Sequence, residues 1–196
     1  MAQYYGYINV PHNSFTQWYN NTRGNGYNVD YHYGNQCWDY CALLWYQYNL
    51  RLITKPGGGG AIDCWNVSRY TNAKTPFKSY TNVKKIKRGD ILVFKPYGQA
   101  VGSAGHIGFA YTDYSGRNTT KDTLKILGQN QAGSSVVNIV EYPIDAIVGY
   151  FRNTKWTATD PDEPDDPDDP ETKDKEYQRK HFPWAIAWAH WPSFKR

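Results

Sequence analysis

Between Asp160 and Pro170 a proline stands at every third position among carboxylates, and this run decides where a folded body can lie. Proline fixes φ and removes an amide donor, and the acids repel one another. The stretch therefore reads as an extended, solvated spacer, rising about 3.1 Å per residue where it is polyproline II. It divides the chain into a body at 1–153, an acidic linker at 154–176 and a short tail at 177–196. A body of this length can bury one ordinary core and not two.

Charge follows the same division. Residues 1–159 hold 16 basic and 8 acidic residues, a net +8, whereas residues 160–176 hold 2 and 10, a net −8. A basic body points to an anionic partner, nucleic acid or a bacterial wall. No nucleic-acid motif accompanies the charge, so no nucleic-acid partner is expected. The richness in rings, 18 Tyr and 8 Trp against one Met, fits a protein that handles extended polar substrates such as sugars or wall polymers. No apolar run reaches the 18 residues of a membrane span. The start, Met1 to Gly6, shows no basic and apolar signal pattern, so neither an integral membrane protein nor one exported by a cleaved leader is expected.

Within the body the periodicity changes midway. Cys37, Cys41, Leu44, Trp45 and Tyr48 fall at i, i+4, i+7, i+8 and i+11, the period of an amphipathic helix over 36–48. A glycine loop follows at 57–60, then a shorter helix over about 62–71. Beyond Asp90 the pattern turns to strands at 91–95, 106–112, 124–128, 136–142 and 147–152, rich in Ile, Val, Tyr and Phe and separated by Gly, Asn and Ser. Helices followed by a run of strands predict an α+β fold with an antiparallel sheet.

Three cysteines make no metal pair of the CxxC type. Cys41 and Cys64 read as buried small hydrophobes. Cys37 opens the predicted helix, where unpaired amides and the helix dipole favour an anion, so its thiol is expected to have a lowered pKa and to act as a nucleophile. A thiolate needs a base and the base an orienting group. His106 opens a strong strand pattern, unlike His12, His32, His181 and His190. The segment Gly128-Gln129-Asn130-Gln131, at the end of the next strand, offers an acceptor for its ring. The order Cys, His, Asn is that of papain-type thiol hydrolases.

Four blocks carry a family resemblance: Gly34-Asn35-Gln36-Cys37-Trp38-Asp39, Arg88-Gly89-Asp90-Ile91-Leu92-Val93-Phe94, Gly105-His106-Ile107-Gly108 and Leu127-Gly128-Gln129-Asn130-Gln131. In order and spacing they resemble the signature blocks of CHAP domains, the cysteine, histidine-dependent amidohydrolases/peptidases of peptidoglycan, over about residues 14–153. The resemblance implies a papain-like α+β fold, helices packed on an antiparallel sheet, with Cys37 as nucleophile, His106 as base and Asn130 as the ring-orienting residue. Gln36 is either an oxyanion donor beside the Cys37 amide or a structural loop residue. Many phage members carry a carboxylate two residues before the orienting Asn, where this chain has Gly128.

Upstream of the nucleophile, Asn28, Asp30, His32 and Gly34 alternate and Asp39 closes the pattern. Alternate oxygen donors closed by a carboxylate suit Ca²⁺, and some phage CHAP domains are similar here, with backbone carbonyls at the positions of His32 and Gly34. A bound calcium and a solvated polar turn are the two readings. In the tail Trp184, Trp188 and Trp191 recur at i, i+4 and i+7 between Pro183 and Pro192, either as an element docking on the protein or as an anchor for wall, membrane surface or virion proteins.

These observations lead to the expectation of a peptidoglycan hydrolase, a phage endolysin or a virion-associated lysin. It would be made in the infected cytoplasm and act on an amide or peptide bond of the wall. The alternative is a wall-binding or tail structural protein that keeps the fold without the chemistry, for which Gly128 is the support.

Overall fold

The computed structural model describes residues 3–5, 13–54, 59–71, 75–116 and 121–156. The spacer and the tryptophan-rich tail, on which the sequence places the linker and the anchor, lie outside the described residues. The described residues belong to the compact unit Met1–Asp160.

Three helices come first, α1 (Phe15–Thr22), α2 (Cys37–Gln47) and α3 (Ala61–Thr71). Two short strands, β1 (Gln3–Tyr5) and β2 (Gly26–Asn28), pair in parallel around α1. The main sheet contains β3 (Phe77–Tyr80), β4 (Ile91–Phe94), β5 (His106–Ala110), β6 (Thr123–Gly128), β7 (Asn138–Pro143) and β8 (Ile147–Asn153) in the spatial order β3-β8-β4-β5-β6-β7. Every pairing in it is antiparallel. The α+β class with helices on an antiparallel sheet is therefore as the sequence predicts. The elements it does not predict are α1, β1, β2 and the edge strand β3.

Alternation along the strands builds two cores. On β4, Ile91 and Val93 face the helices while Leu92 and Phe94 face the other way; on β5, Ile107 and Phe109 face the helices and Ala110 the far side. The helix-side core is built of rings. Trp45 stacks on Phe77 at 3.8 Å and meets Phe151 edge-on, while Trp18, Tyr27 and Tyr40 stack in a row over Phe109. Aromatic side chains typically bury about 150–250 Å² each, and such pairs gain about 0.5–1.5 kcal/mol from ring geometry beyond area.

Helix α2 lies within this core. Cys37 and every residue from Asp39 to Trp45 are buried, so the amphipathic face expected of it becomes a helix covered on almost all sides. The reason is local: α1 and β2 cover the flank that a two-layer fold would leave to water. The packing continues past the expected end of the body at 153, since the Trp156 ring lies 5.8 Å from Phe15 and 6.1 Å from Phe109. Gly89, with φ +85°, makes this possible, because a β-carbon there would crowd both Phe15 and Trp156 at 3.1 Å. Its neighbour Asp90 is buried and anchors the turn by accepting from Arg152 at 2.6 and 2.7 Å.

Candidate active site

Cys37 and His106 belong to different cores; the Cys37 thiol feels the backbone amide of Ile107, the residue after His106, and lies near Tyr142, the ring on which His106 stacks. Cys37 is the first residue of α2 and belongs to the helix-side core. The helix start is held by Asp39, whose Oδ2 accepts from the Gln36 amide at 2.8 Å. Its Oδ1 accepts from the amides of Val29 at 2.9 Å and Asp30 at 3.4 Å. One carboxylate thus ties the loop before Cys37 to the helix that Cys37 opens. Burial pushes Asp39 up to about 6, the amides of Gln36 and Val29 pull it down, and Asp30 nearby pushes it up again.

The thiol does not have the lowered pKa that its helix position predicts. Burial pushes Cys37 up to about 11, against the pull of the Ile107 and Trp38 amides, and the Asp39 carboxylate adds to the rise. A helix N-terminus favours an anion, but removal from water costs the anion more here. Cys41 and Cys64 are wholly buried, as small core residues.

His106 is the first residue of β5, opposite Phe94 of β4. Its ring stacks on Tyr142 with centroids 4.9 Å apart and planes 16° apart, and Phe94 lies at 6.0 Å. Burial pushes its pKa down to about 4, and the bond to Gln131 offsets only part of that. The ring partner is Gln131, whose Oε1 lies 3.0 Å from His106 Nε2.

The hydrogen bonds around Gln131 decide the tautomer. Its Nε2 donates to the carbonyls of Ile126 at 3.2 Å and Asn138 at 2.8 Å. With both amide hydrogens used, only its acceptor oxygen can face the ring. His106 Nε2 must therefore carry the proton, and Nδ1 is the basic nitrogen of the neutral imidazole.

The expected third member, Asn130, sits one residue away and is not brought to the ring. It is exposed, has φ +57°, and its Nδ2 donates to Gln36 Oε1 at 3.1 Å. Gln36 in turn donates one amide hydrogen to the Tyr33 carbonyl at 2.7 Å, which ties its side chain to the loop before α2. Two residues before Gln131 stands Gln129, not Gly128. Gln129 accepts from the Tyr27 amide at 2.8 Å and donates to the carbonyls of Tyr27 and Gln36 at 2.6 and 2.7 Å, pinning β2 to the approach to α2. Gly128 has its own reason: a β-carbon there would come within 2.8 Å of Gln131 Oε1 and 3.4 Å of His106 Nε2.

Among the expected metal-binding positions, Asn28 is buried and its Oδ1 has no hydrogen-bond partner among the described residues. Asp30 accepts from the His32 amide at 2.8 Å. Tyr31, Tyr33 and Gly34 have φ of 62°, 56° and 72°, so the backbone of this loop turns repeatedly. No three His, Cys, Asp or Glu side chains converge among the described residues. A cation here would rely on amide and backbone oxygens beside two carboxylates. No described helix is long and apolar enough to cross a membrane.

A family model of the CHAP domain matches residues 25–130, more than half of the chain. The chain belongs to the CHAP domain family. The match spans Cys37 and His106 and ends one residue before Gln131. A crystal structure of the wild-type endolysin LysIME-EF1 is similar in fold, with a TM-score of 0.51 and 23% identity. The similarity covers 74% of this chain and 66% of that one, so this chain spans just under two thirds of that endolysin. No curated protein matches. Sequence reasoning on this CHAP domain misses Gln131, Gln129 and Tyr142. The glutamines lie in a block already singled out, but only the third dimension tells which neighbour of Asn130 turns inward.

Proposed function

We propose that this CHAP domain is a peptidoglycan hydrolase, a phage endolysin or virion-associated lysin, that cleaves an amide or peptide bond of the wall by a Cys37–His106 thiol mechanism. The observation that supports the mechanism best is the Gln131 lock, which fixes the Nε2–H tautomer and so puts the lone pair of the neutral ring on Nδ1. Because burial disfavours both the thiolate and the imidazolium, the resting pair is thiol and imidazole. As Sγ attacks the scissile carbonyl, Nδ1 takes the thiol proton, and it then delivers that proton to the leaving amine. Water, deprotonated by the same nitrogen, releases the acyl group and restores the thiol. The Gln131 oxygen keeps the ring in place and stabilises the imidazolium while it exists. Gly128 supports this reading and not a decayed site, since its missing side chain leaves room for the His106–Gln131 pair.

Clearing of bacterial walls in a gel overlay tests the activity, and mass spectrometry of the released fragments identifies the bond. Binding without clearing would favour a structural wall-binding protein.

The loop before α2 fits a hard divalent cation, since its donors are all oxygens and one of them, Asn28 Oδ1, is buried without a partner among the described residues. We propose that Asn28, Asp30 and Asp39 with the carbonyls of His32 and Gly34 would hold Ca²⁺. Bound there, it would neutralise the two carboxylates and brace the loop. Chelation should then lower the melting temperature and calcium, but not zinc, should restore it. Identical melting curves with and without chelator would make the loop an ordinary turn.

A further inference from the structure

Beside the nucleophile the protein presents a rim of rings and neutral amides that the cleavage chemistry does not use. Tyr33 is 93% exposed and Tyr31 61%. Both take a left-handed backbone conformation that favours glycine or asparagine. Among the described residues the ring beside Tyr33 is that of its neighbour His32, with centroids 6.2 Å apart, so at 93% exposure the tyrosine adds little packing there. Strained, exposed rings of this kind concentrate at binding sites.

The rim is tied to the site by a hydrogen-bond relay. Asn130 donates to Gln36, and Gln36 donates to the Tyr33 carbonyl. Asn35 donates to the Ser135 carbonyl at 2.9 Å, which joins the loop before α2 to the turn after β6. Gln36 directly precedes Cys37, so the relay joins the Tyr33 backbone to the start of α2.

Charge narrows the ligand. The two segments that form the rim contain no Lys or Arg at all from residue 24 to 50 or from 126 to 151, although the body as a whole is strongly basic. A ligand recognised through carboxylates or phosphates would need cations here. Planar amides beside exposed phenol rings suit a neutral ligand with hydroxyls, acetamido groups and apolar C–H faces.

We propose that Tyr31 and Tyr33, with Asn35, Gln36 and Asn130, form a subsite for the neutral amino-sugar strand of the wall polymer and hold it beside Cys37. The assignment rests on the hydrolase reading and adds the part of the substrate that is bound without being cut.

The test titrates a soluble β-1,4-linked N-acetylglucosamine tetramer, which contains no scissile wall peptide, into the full chain and its Tyr33→Ala and Tyr33→Phe variants. All share residues 157–196, so differences between them report the rim. The tetramer should bind saturably. Tyr33→Ala should weaken it about fivefold, the order expected for loss of one stacked ring, and Tyr33→Phe should stay within about twofold. On whole walls Tyr33→Ala should raise KM and leave kcat nearly unchanged. Equal affinity in Tyr33→Ala, or no binding by the wild type while it still clears walls, overturns the subsite. Sugar binding that depends on Tyr33 in a protein that clears no walls supports the subsite and counts only against the hydrolase reading.

Discussion

The two faces of the main sheet are built differently, and each supplies one half of the proposed Cys37–His106 pair. The helix side is a stack of rings around Trp18, Tyr40, Trp45, Phe109 and Phe151, and it holds Cys37 through a helix that is covered nearly all round. The far side is mostly aliphatic, and it holds His106 through one stacked ring, Tyr142, and one amide, Gln131. Cys37 is thus positioned by bulk packing, and His106 by a few directional contacts. Directional contacts can be removed one at a time with the fold intact; ring packing cannot.

That contrast orders the expected effects. Cys37→Ala should abolish wall lysis with an unchanged melting curve, whereas Cys41→Ala and Cys64→Ala should keep the activity; lysis by Cys37→Ala would end the thiol mechanism. Gln131→Leu removes the acceptor that orients His106 and should lower kcat about 10²-fold or more, in the range typical of general acid–base assistance. Gln131→Glu should recover part of that, with a signature of its own. In the wild type the base must be neutral, so activity should persist below pH 6 and fall as pH drops through about 4. A carboxylate at 131 favours the imidazolium, raises the His106 pKa and moves the acid limb toward neutrality. An acid limb near 6.5 in the wild type, or one that does not move in Gln131→Glu, would contradict the buried neutral base.

On the helix side, Trp45→Ala should cost about 3–5 kcal/mol of stability, read by denaturant unfolding, with activity per folded molecule little changed at low temperature. The smallest effect is expected from removing residues 157–196. Because the ring packing runs on to Trp156, a chain ending there should melt within a few degrees of the full chain and turn over small soluble wall fragments at the same rate. A much lower melting temperature would mean that the tail packs on the body.

Much of this architecture is legible in the residues. Helices α2 and α3 announce themselves by period, and strands β4 to β8 by runs rich in Ile, Val, Tyr and Phe between Gly, Asn and Ser. Helix α1 is only eight residues with two Asn and two Thr, and its apolar period is too short to register. Its readable signal is the cap, where Ser14 accepts from the Gln17 amide and Gln17 from the Asn13 amide. Strand β3 buries one residue of four, which leaves no alternation to see. At the site, helix position and strand position single out Cys37 and His106, since both are properties of one element. The pKa of Cys37 is different: it depends on how many other elements cover the helix. The choice of Gln131 over Asn130 depends on carbonyls from β6 and β7 that only the folded sheet brings together.

The lock on His106 also creates a reporter. The proton on Nε2 points into Gln131 on a side chain only 5% exposed, so water can take it only when the site opens. Such an imidazole proton exchanges slowly enough to give a far-downfield NMR signal in ordinary water. Its lifetime measures how often the far side of the sheet opens at the base, in the absence of any substrate.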